Sequence, residues 1–558
     1  MKWYNQLAGF IVHFFSYRYR IIVSVFFGTY LLAGVLLAGD YGTTADEWVH
    51  CRNRGVIFVN LTANYLKTWL LGKHNPAFEA LYANYDDKDY GAVYEMAMVG
   101  VEAALGLKEE RSITLSRHIF VFVVFWLSVY FFYQLISQRF YDWRMGLLGA
   151  LLLILSPRIF ADSFYNSKDI GFLSAFVFSL YSLVKFLEQP TIRRAMIHAV
   201  CCAILIDIRI MGIIVPAVTF AFFGMELLKA FPDHKRFVRT IFGLLSLYVV
   251  VMLVAVVVMW PYLWEDPVGN LVTSFRNMSR FKRIDGDGMQ LFMGQYLHIT
   301  RMPRYYLPVW MGVTTPLVYL AFFGIGLLFI LFRFIRAHVR VYRNSLERFD
   351  LLMLAFLAGP VLAVAILHST VYDGWRHLYY TYPCLVAIAL IGLVSLSNWL
   401  RGRLETDKAR MVVVGLYLIL LGGMAHTAYF MAKYHPQQQV YFNALAGSPA
   451  SYYYEQDYYG LSCKQGLEYI VKHDDRNTIK VYVNYIAGET NQTLLRLNDS
   501  RRIQYVKDST QADYFLTSFT KERDRQRMRR KEFPFVNEVH ALTVEGSKIM
   551  AVYKLKGH

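Results

Sequence analysis

Long apolar runs with few or no charges restrict the fold of this chain more than any other feature of its sequence. About eight of them reach roughly 17 residues or more, the length that crosses the hydrocarbon core of a bilayer. Examples are Ile21–Ala38, Ile241–Trp260, Pro316–Phe332, Leu351–Leu367 and Met411–Met431. Hydrophobic residues make up 56% of the 558 positions, above the roughly 45–50% that is usual for soluble domains. The sequence therefore predicts a polytopic α-helical membrane protein.

Eleven membrane spans are predicted from the positions of these runs. They lie at about 21–39, 118–137, 145–160, 170–187, 195–208, 210–228, 240–260, 312–332, 350–367, 379–397 and 411–431. The third span runs into Ser156-Pro157-Arg158, and the fifth stops at Asp207-Ile208-Arg209 after a short apolar stretch. These two have the weakest hydropathy signal of the set.

The distribution of Lys and Arg predicts the orientation of the chain, because basic residues gather in cytoplasmic loops. With a cytoplasmic N-terminus the basic clusters on that side are Arg139 and Arg144; Arg193 and Arg194; Lys229, Lys235, Arg236 and Arg239; Arg333, Arg336, Arg340, Arg343 and Arg348; and Arg401, Arg403, Lys408 and Arg410. If residues 195–228 formed one span, the last three clusters would lie outside, so a hairpin is predicted there. The net charge of +17 is thus explained by topology. Since the sequence has no nucleic-acid motif, we expect no nucleic-acid partner.

This topology predicts two domains. Residues 1–432 form the membrane domain, whose outer segments are at about 40–117, 158–169, 207–209, 261–311 and 368–378. Residues 433–558 form a small extracytoplasmic α/β domain, with a helix at Leu461–His473 and strands at Ile479–Tyr485, Ala512–Ser518, Phe535–Leu542 and Ile549–Leu555, the last two able to pair. Cys51 and Cys463 both lie outside in this topology, which would allow a bridge between them, but the spacing of the five cysteines does not lead us to expect one.

An acidic pair, Asp46 and Glu47, follows the first span directly. Two carboxylates at a membrane surface repel each other and lose solvation, which can raise one pKa and create a base for proton abstraction. The structural alternative is that Thr43, Thr44 and Asp46 only begin an interfacial helix. Both interpretations stay open at this point.

A second polar group lies between the third and fourth spans and contains Asn166, Lys168 and Asp169. Charged side chains near the hydrocarbon boundary need a partner or a wet cavity and are functional candidates for that reason. The alternative is a Lys168–Asp169 pair that caps the next helix. We favour the functional interpretation.

Two further outer segments carry cations. Arg209 could pair with Asp207 or direct its guanidinium to a lipid phosphate, and the sequence does not choose between them. The other segment contains Tyr372, Asp373, Arg376 and His377. An interfacial aromatic belt explains its aromatic residues, but it does not explain the three ionisable ones.

Together these residues predict one site with a carboxylate base, several cations and aromatic walls. Such parts suit a transferase that uses a sugar on a lipid phosphate, because the cations would neutralise the leaving phosphate and the carboxylate would deprotonate an acceptor hydroxyl. With no Walker A loop and no GxGxxG before a helix, a nucleotide-binding domain is not predicted.

At these residues the chain resembles the GT-C membrane glycosyltransferases, and within them family 39, which includes protein O-mannosyltransferases and aminoarabinose transferases. The matching elements are Asp46-Glu47, the motif from Asn166 to Asp169, the string Tyr372-Asp-Gly-Trp-Arg-His377, the string His435–Asn443, and Asp457-Tyr-Tyr-Gly460. The last three resemble a bacterial branch of family 39, which implies a location in the bacterial inner membrane.

The resemblance implies roles for individual residues. Asp46 would be the general base and Glu47 a supporting contact to the acceptor. Lys168 and Asp169 would lie beside the donor phosphate and the base, and Arg209 and Arg376 would bind phosphate. It implies a polyprenyl-phosphate sugar as donor, no nucleotide and no required metal, although carboxylates near a phosphate leave a divalent ion possible.

The acceptor class stays open between protein, glycan and lipid, because the chain lacks the three-lobed insertion of the O-mannosyltransferases. The C-terminal domain and the 261–311 segment, including Arg276–Arg283, are expected to shape acceptor entry. One alternative function is a transporter or flippase of a lipid-linked sugar intermediate, which also needs many spans and intramembrane charges. Transporters usually place polar groups near the midplane and show repeated halves, and neither pattern is visible here. Another is an assembly factor whose tail binds a partner, which leaves the outer charges unexplained.

Overall fold

A computed structural model describes residues 2–72, 82, 85–230, 235–279, 288–337, 341–519 and 522–555. Its helices are α1 Lys2–Leu37, α2 Asn53–Leu71, α3 Val93–Ala104, α4 Glu110–Phe140, α5 Trp143–Ile154, α6 Pro157–Tyr165, α7 Ser167–Glu188, α8 Ile192–Ile208, α9 Ile214–Ala230, α10 Lys235–Met259, α11 Pro267–Ser279, α12 Tyr306–Thr314, α13 Leu317–Ala337, α14 Ser345–Leu367, α15 Tyr382–Arg401, α16 Thr406–Lys433, α17 Cys463–His473, α18 Ala487–Thr490, α19 Leu497–Ser500 and α20 Glu522–Arg529. Its strands are β1 Met289–Phe292, β2 Gln295–His298, β3 Ile479–Val483, β4 Ile503–Tyr505, β5 Tyr514–Thr517, β6 Glu538–Val544 and β7 Ser547–Lys554. Predicted features at Arg340 and residues 280–287 lie outside the described residues.

The protein is a multi-pass membrane protein, as predicted, but the number of long spans differs. Within the described ranges, nine helical segments are long and apolar enough to cross a membrane, and ten if α5 and α6 count as one broken span. Eleven spans were predicted from the sequence, and the two that fall short are the third and the fifth.

Each shortfall has a physical reason. The third predicted span breaks before Pro157, because proline favours the first turn of a new helix, and α6 leaves α5 at an angle of 72°. The fifth is α8, a helix of 17 residues. At 1.5 Å per residue it is about 25 Å long, which is less than the roughly 30 Å of a hydrocarbon core.

Small residues let two spans of the bundle pack with their backbones close together. A Cβ on Gly326 of α13 would lie 2.0 Å from the carbonyl oxygen of Ile388, and one on Gly392 of α15 would lie 2.1 Å from that of Phe322. Only glycine fits at both positions. Close backbone approach of this kind is a main source of helix association in lipid, where the hydrophobic effect does not hold helices together.

A buried ion-pair group ties three spans together at the end of the bundle that is predicted to face the cytoplasm. Asp350 of α14 accepts hydrogen bonds from Arg139 Nε at 2.6 Å and Nη2 at 2.8 Å, and from Arg333 Nη1 at 3.0 Å. Its side chain is only 3% exposed. Because α4 carries Arg139 and α13 carries Arg333, one carboxylate fixes the spacing of all three helices.

The C-terminal part is the small mixed α/β domain that the sequence predicts. Its sheet has the order β4-β3-β5-β7-β6, with β3 parallel to β4 and β5, and β7 antiparallel to β5 and β6. The predicted helix and four strands are confirmed, including the pairing of the last two, whereas β4 was not predicted. All five cysteines are free, so Cys51 and Cys463 do not pair.

The predicted boundary at residue 433 stays a prediction. Tyr454, Tyr458, Tyr459 and Leu461 pack in the same apolar core as the membrane helices, whereas Cys463 and Leu467 begin the core of the sheet. The segment between α16 and α17 therefore packs against the bundle, and it places these three tyrosines at one end of the spans.

The Asp350 group allows a test of which ion pairs stabilise the bundle. Replacing Asp350 with Ala leaves two arginines near each other without their carboxylate, and we expect the detergent-solubilised protein to lose about 3–5 kcal/mol of unfolding free energy, seen as a lower Tm. The matched control is Glu405→Ala, which removes a pair to Lys408 whose side chains are 77% and 66% exposed. An exposed pair of this kind contributes about 0–1 kcal/mol. Equal Tm values for the two variants would contradict the role given to Asp350.

Candidate active site at the domain end of the bundle

Arg376 lies at the centre of a charge cluster at the end of the bundle that carries the C-terminal domain, here called the domain end. Its guanidinium contacts Asp373 Oδ2 at 3.0 Å, Asp169 Oδ2 at 3.4 Å and Asp46 Oδ2 at 3.7 Å. The arginine is 4% exposed and begins the short 3₁₀ turn Arg376–Thr381 that leads into α15. Three carboxylates from three distant segments of the sequence therefore meet at one buried cation.

A second arginine, Arg209, binds the same carboxylate of Asp169 from the other side. Of the two predictions for Arg209, pairing with Asp207 is wrong. Asp207 instead accepts the backbone N–H of Val93 at 2.8 Å, at the N-terminus of α3. Arg209 follows the last residue of α8, and its extended backbone there directs the side chain towards α7.

Asn166 holds Asp169 in place at the start of α7. The Asn166 side chain accepts the backbone N–H of Asp169 at 2.9 Å and donates to its carboxylate at 2.9 Å. Lys168 does not pair with Asp169 but lies over the ring of Tyr90, with 4.5 Å from its ammonium to the ring centroid. The alternative of a capping Lys168–Asp169 pair is therefore wrong, because Asn166 caps α7 and Asp169 faces the two arginines.

Asp373 is fixed by a contact that the sequence did not reveal. Its backbone has a φ of 55° and Gly374 one of 74°, and Gln290 of β1 secures this left-handed turn. Gln290 donates to the Asp373 carboxylate at 2.7 Å and accepts its backbone N–H at 3.0 Å, while Tyr306 donates to the same Gln290 oxygen at 3.2 Å. Burial raises the pKa of Asp373, and the charge of Arg376 opposes that shift.

Asp46 and Glu47 face different surroundings, although they are neighbours in the sequence. The Asp46 side chain is 38% exposed and contacts Arg376. Glu47 is 1% exposed and accepts Thr43 Oγ1 at 2.7 Å, with His118 Nε2 at 3.3 Å and Arg117 Nε at 3.7 Å. Asp46 therefore lies near the surface, whereas Glu47 is buried beside Arg117 and His118. The helix-start interpretation is partly right, because Thr44 Oγ1 accepts the Glu47 N–H at 3.0 Å.

Arg117 of α4 links the segment that contains Asp46 to the segment that contains Asp169 from inside the bundle. Besides Glu47 it binds Glu95 at 2.6 Å and Glu102 at 2.9 Å, and Glu95 also accepts a hydrogen bond from Ser167 at 3.0 Å. Because Ser167 opens the helix that carries Asp169, one buried cation links the segments of Asp46 and Asp169. No pattern in the sequence pointed to this residue.

Aromatic rings form the walls of the charge cluster. The Arg376 guanidinium lies 5.0 Å from the ring centroid of Tyr372 and 5.4 Å from that of Tyr459. His377 packs edge-on against Tyr372 at 4.8 Å, and its Nδ1 is buried with no hydrogen-bond partner among the described residues. The structure thus places the ten sequence-predicted site residues near this end of the bundle.

Metal binding is not evident in the arrangement of these carboxylates. Among the residues that the structure describes, no three His, Cys, Asp or Glu side chains are placed to hold a metal ion. The expectation that no metal is required stays a prediction.

Comparison of the sequence finds no match to any family model or to any curated protein. Comparison of structures finds the oligosaccharyltransferase of Archaeoglobus fulgidus in its apo form, with a TM-score of 0.50 and 12% identity over 87% of this chain and 65% of that one. It also finds ArnT from Cupriavidus metallidurans, in the apo state with a TM-score of 0.45 and 14% identity over 96% and 98% of the two chains. The same protein bound to undecaprenyl phosphate gives 0.43 and 12% over 95% and 97%.

Likeness at such low identity shows the fold alone. The chain has a GT-C-like fold that it shares with the archaeal oligosaccharyltransferase, and it covers 65% of the length of that protein. The fold part of the sequence-based expectation is confirmed by this likeness.

The position of Arg376 among carboxylates predicts a pH-dependent loss of stability when its charge is removed. A raised carboxyl pKa means that the folded protein binds a proton more tightly than the unfolded chain, so stability falls as the pH rises through that range. In Arg376→Gln the pKa of Asp373 rises further. We expect the Tm of the variant to lie well below that of the wild type at about pH 7, where the lost partner costs about 3–5 kcal/mol, and the Tm difference to be smaller near pH 4.

The matched control for this experiment is the double variant Arg376→Gln/Asp373→Asn, which removes the group that titrates. It should regain part of the Tm at neutral pH, the remainder belonging to Asp169 and Asp46. A Tm difference between Arg376→Gln and the wild type that does not change with pH would contradict the ion-pair account.

Proposed function

We propose that this protein is an inverting glycosyltransferase that moves a sugar from a polyprenyl-phosphate donor to an acceptor hydroxyl at the outer face of the membrane. The observation that supports it best is the meeting of Asp46, Asp169, Arg209 and Arg376 at the domain end of the bundle. Such a site can hold a phosphate and a base within reach of one substrate, which is the requirement of this reaction.

The arginines are assigned to the phosphate of the donor. Arg209 and Arg376, with Lys168 nearby, balance the charges of Asp46, Asp169 and Asp373 in the free protein. A planar guanidinium binds phosphate through two parallel hydrogen bonds, so an incoming phosphate would share the donors that now face carboxylates. In the reaction the bond between the anomeric carbon and the phosphate oxygen breaks, and the phosphate leaves with the electron pair and one more negative charge. The arginines stabilise that developing charge.

Asp46 is assigned the role of general base. It is the most exposed of the three carboxylates at Arg376, which leaves it open to an acceptor. It takes the proton of the acceptor hydroxyl while the acceptor oxygen forms a bond to the anomeric carbon on the face opposite the phosphate, which inverts that carbon. Glu47 receives no acceptor contact in this proposal, because Thr43, Arg117 and His118 already occupy its carboxylate.

The finer assignments belong to the same proposal. The strings around Asp46, Asp169, Arg376 and Asp457 support membership of family 39. The distribution of Lys and Arg supports a cytoplasmic N-terminus and an extracytoplasmic domain from about residue 433. The resemblance to a bacterial branch of family 39 supports a place in the bacterial inner membrane. The acceptor is a protein, a glycan or a lipid, its entry shaped by the C-terminal domain and the 261–311 segment, and no metal is required. The transporter alternative is less well supported, because the charge cluster lies at one end of the bundle rather than near its middle.

The base assignment can be tested before the sugar is identified. A strain that lacks the protein would be complemented with wild type, Asp46→Asn or Glu109→Gln, and its polyprenyl-linked lipids and glycans measured by mass spectrometry. We expect Asp46→Asn to accumulate the lipid-linked donor, with purified protein turning it over about 10²–10⁴-fold more slowly. Glu109 is an exposed carboxylate of the same predicted loop, and its variant should behave as wild type.

Two results would contradict the proposal. One is full turnover by Asp46→Asn at a normal protein level. The other is movement of the intact lipid-linked sugar across vesicles without cleavage of its phosphate bond, which would favour the transporter.

A further inference from the structure

The C-terminal domain contacts the segment that presents the proposed base. Residues 39–47 follow α1 and end with Asp46 and Glu47, the first two residues of the π-helical turn Asp46–Arg52, and we call them the base loop. The side-chain amide of Asn491 makes two hydrogen bonds to the backbone of Thr43 in this loop. Its Oδ1 accepts the Thr43 N–H at 3.0 Å, and its Nδ2 donates to the Thr43 carbonyl at 3.0 Å.

Asn491 is itself held by its own domain. It is 0% exposed, and its Nδ2 also donates to the carbonyl of Ala487 at 2.8 Å and lies 3.4 Å from that of Gly460. Both the donor and the acceptor of this amide are therefore used, and its orientation is fixed by carbonyls that face one nitrogen. Because Asn491 is fixed in its own domain and bonded to Thr43, it holds the base loop at a set position relative to the C-terminal domain.

The base loop passes so close to the domain that one of its residues must be glycine. A Cβ on Gly42 would lie 2.4 Å from the carbonyl oxygen of Leu461 and 2.6 Å from Asn491 Oδ1. Three residues earlier, a Cβ on Gly39 would meet only a side-chain carbon of Leu115, at 3.6 Å, which is ordinary contact. The close approach is thus local to the point where Asn491 binds.

Further contacts connect the same loop to the segment after α16 and to α17. Tyr41 donates to Gln438 Oε1 at 3.0 Å, and Lys464 donates to the carbonyl of Asp40 at 3.3 Å. From Thr43 the restraint continues towards the base, because the Thr43 hydroxyl donates to Glu47 at 2.7 Å. Glu47 is the neighbour of Asp46 and is anchored in the interior by Arg117.

We propose that Asn491 is a positioning residue for Asp46, so that the C-terminal domain completes the catalytic machinery instead of only receiving the acceptor. This inference rests on the proposed function, since it assumes that Asp46 acts as the base. The base loop contains Gly39 and Gly42, whose backbone freedom has to be restrained if Asp46 is to stay in place. A displacement of about 1 Å at a catalytic group can lower the rate by as much as roughly 100-fold.

The direct test compares kcat and the donor KM of purified full-length variants, with the lipid-linked donor that accumulates in the deletion strain as the probe. Asn491→Asp keeps the shape and the acceptor for the Thr43 N–H, but it turns a carboxylate oxygen towards the carbonyls of Thr43, Ala487 and Gly460. Gly42→Ala disturbs the same contact from the loop side. We expect each variant to lower kcat by roughly 10- to 100-fold and to leave the donor KM within about twofold of wild type.

Two matched controls separate positioning from general damage. Gln492→Ala removes a side chain next to Asn491 whose hydrogen bond, to the carbonyl of Ser500 at 2.8 Å, stays within the C-terminal domain. Gly39→Ala adds a methyl group to the loop where there is room. Both should keep the wild-type kcat. Because Asn491→Asp and Gly42→Ala release one contact, the double variant should be no slower than the slower single variant.

The outcomes are distinguishable. If wild type does not turn over the donor, the proposed function fails. If wild type is active and both Asn491→Asp and Gly42→Ala keep its kcat, the positioning inference is overturned. It is also overturned if their loss appears in the donor KM instead of in kcat, or if the Gln492→Ala and Gly39→Ala controls lose kcat to the same extent. Should Asn491→Asp fail to fold, Gly42→Ala alone decides between these results.

Discussion

The structure of the domain end depends on the need of buried charges for partners. A carboxylate that leaves water without a cation costs several kcal/mol, and Asp169 is both 2% exposed and at the end of a membrane span. It is tolerated there because Arg209 and Arg376 share it. Those two arginines follow α8 and precede α15, so the pairing brings together segments that lie 40 and 207 positions away along the chain. A site that neutralises its own charges in this way is also one whose cations become available when an anion takes the place of a carboxylate.

The need of buried charges for partners also acts inside the bundle, beneath the charge cluster, and links the site to the rest of the molecule. Arg117 satisfies Glu47, Glu95 and Glu102 inside the bundle, which anchors the residue next to Asp46. From the other side the C-terminal domain holds the backbone at Thr43. The segment of the proposed base is therefore held by Arg117 inside the bundle and by the C-terminal domain at Thr43. The Asp46 side chain itself stays the most exposed of the carboxylates at Arg376. Rigid support around an accessible group is the arrangement that a precise proton transfer needs.

Much of this could be predicted from the sequence, for reasons that are local. Uninterrupted apolar runs predict spans because lipid leaves the backbone no other way to satisfy its hydrogen bonds, and charges such as Asp169 and Arg376 stand out because they are costly near lipid. The residues that were predicted wrongly or not at all are those whose environment depends on distant segments. The sequence predicts that Glu47 acts together with Asp46, but in the fold Arg117 and His118 lie next to the Glu47 carboxylate. Gln290, Arg117 and Asn491 are ordinary residues in the sequence, and only long-range packing gives them a place. The span count went wrong where Pro157 breaks a helix and where α8 ends early.

The central claim is that the phosphate of a polyprenyl carrier binds at Arg209 and Arg376. The most direct measurement is an experimental structure of the protein with a long-chain polyprenyl phosphate in a lipid nanodisc. We expect phosphate oxygens at about 2.7–2.9 Å from the guanidinium nitrogens of both arginines, with Asp46 facing the open side of the phosphate. A phosphate bound elsewhere, with Arg209 and Arg376 still paired only to Asp169 and Asp373, would contradict the claim.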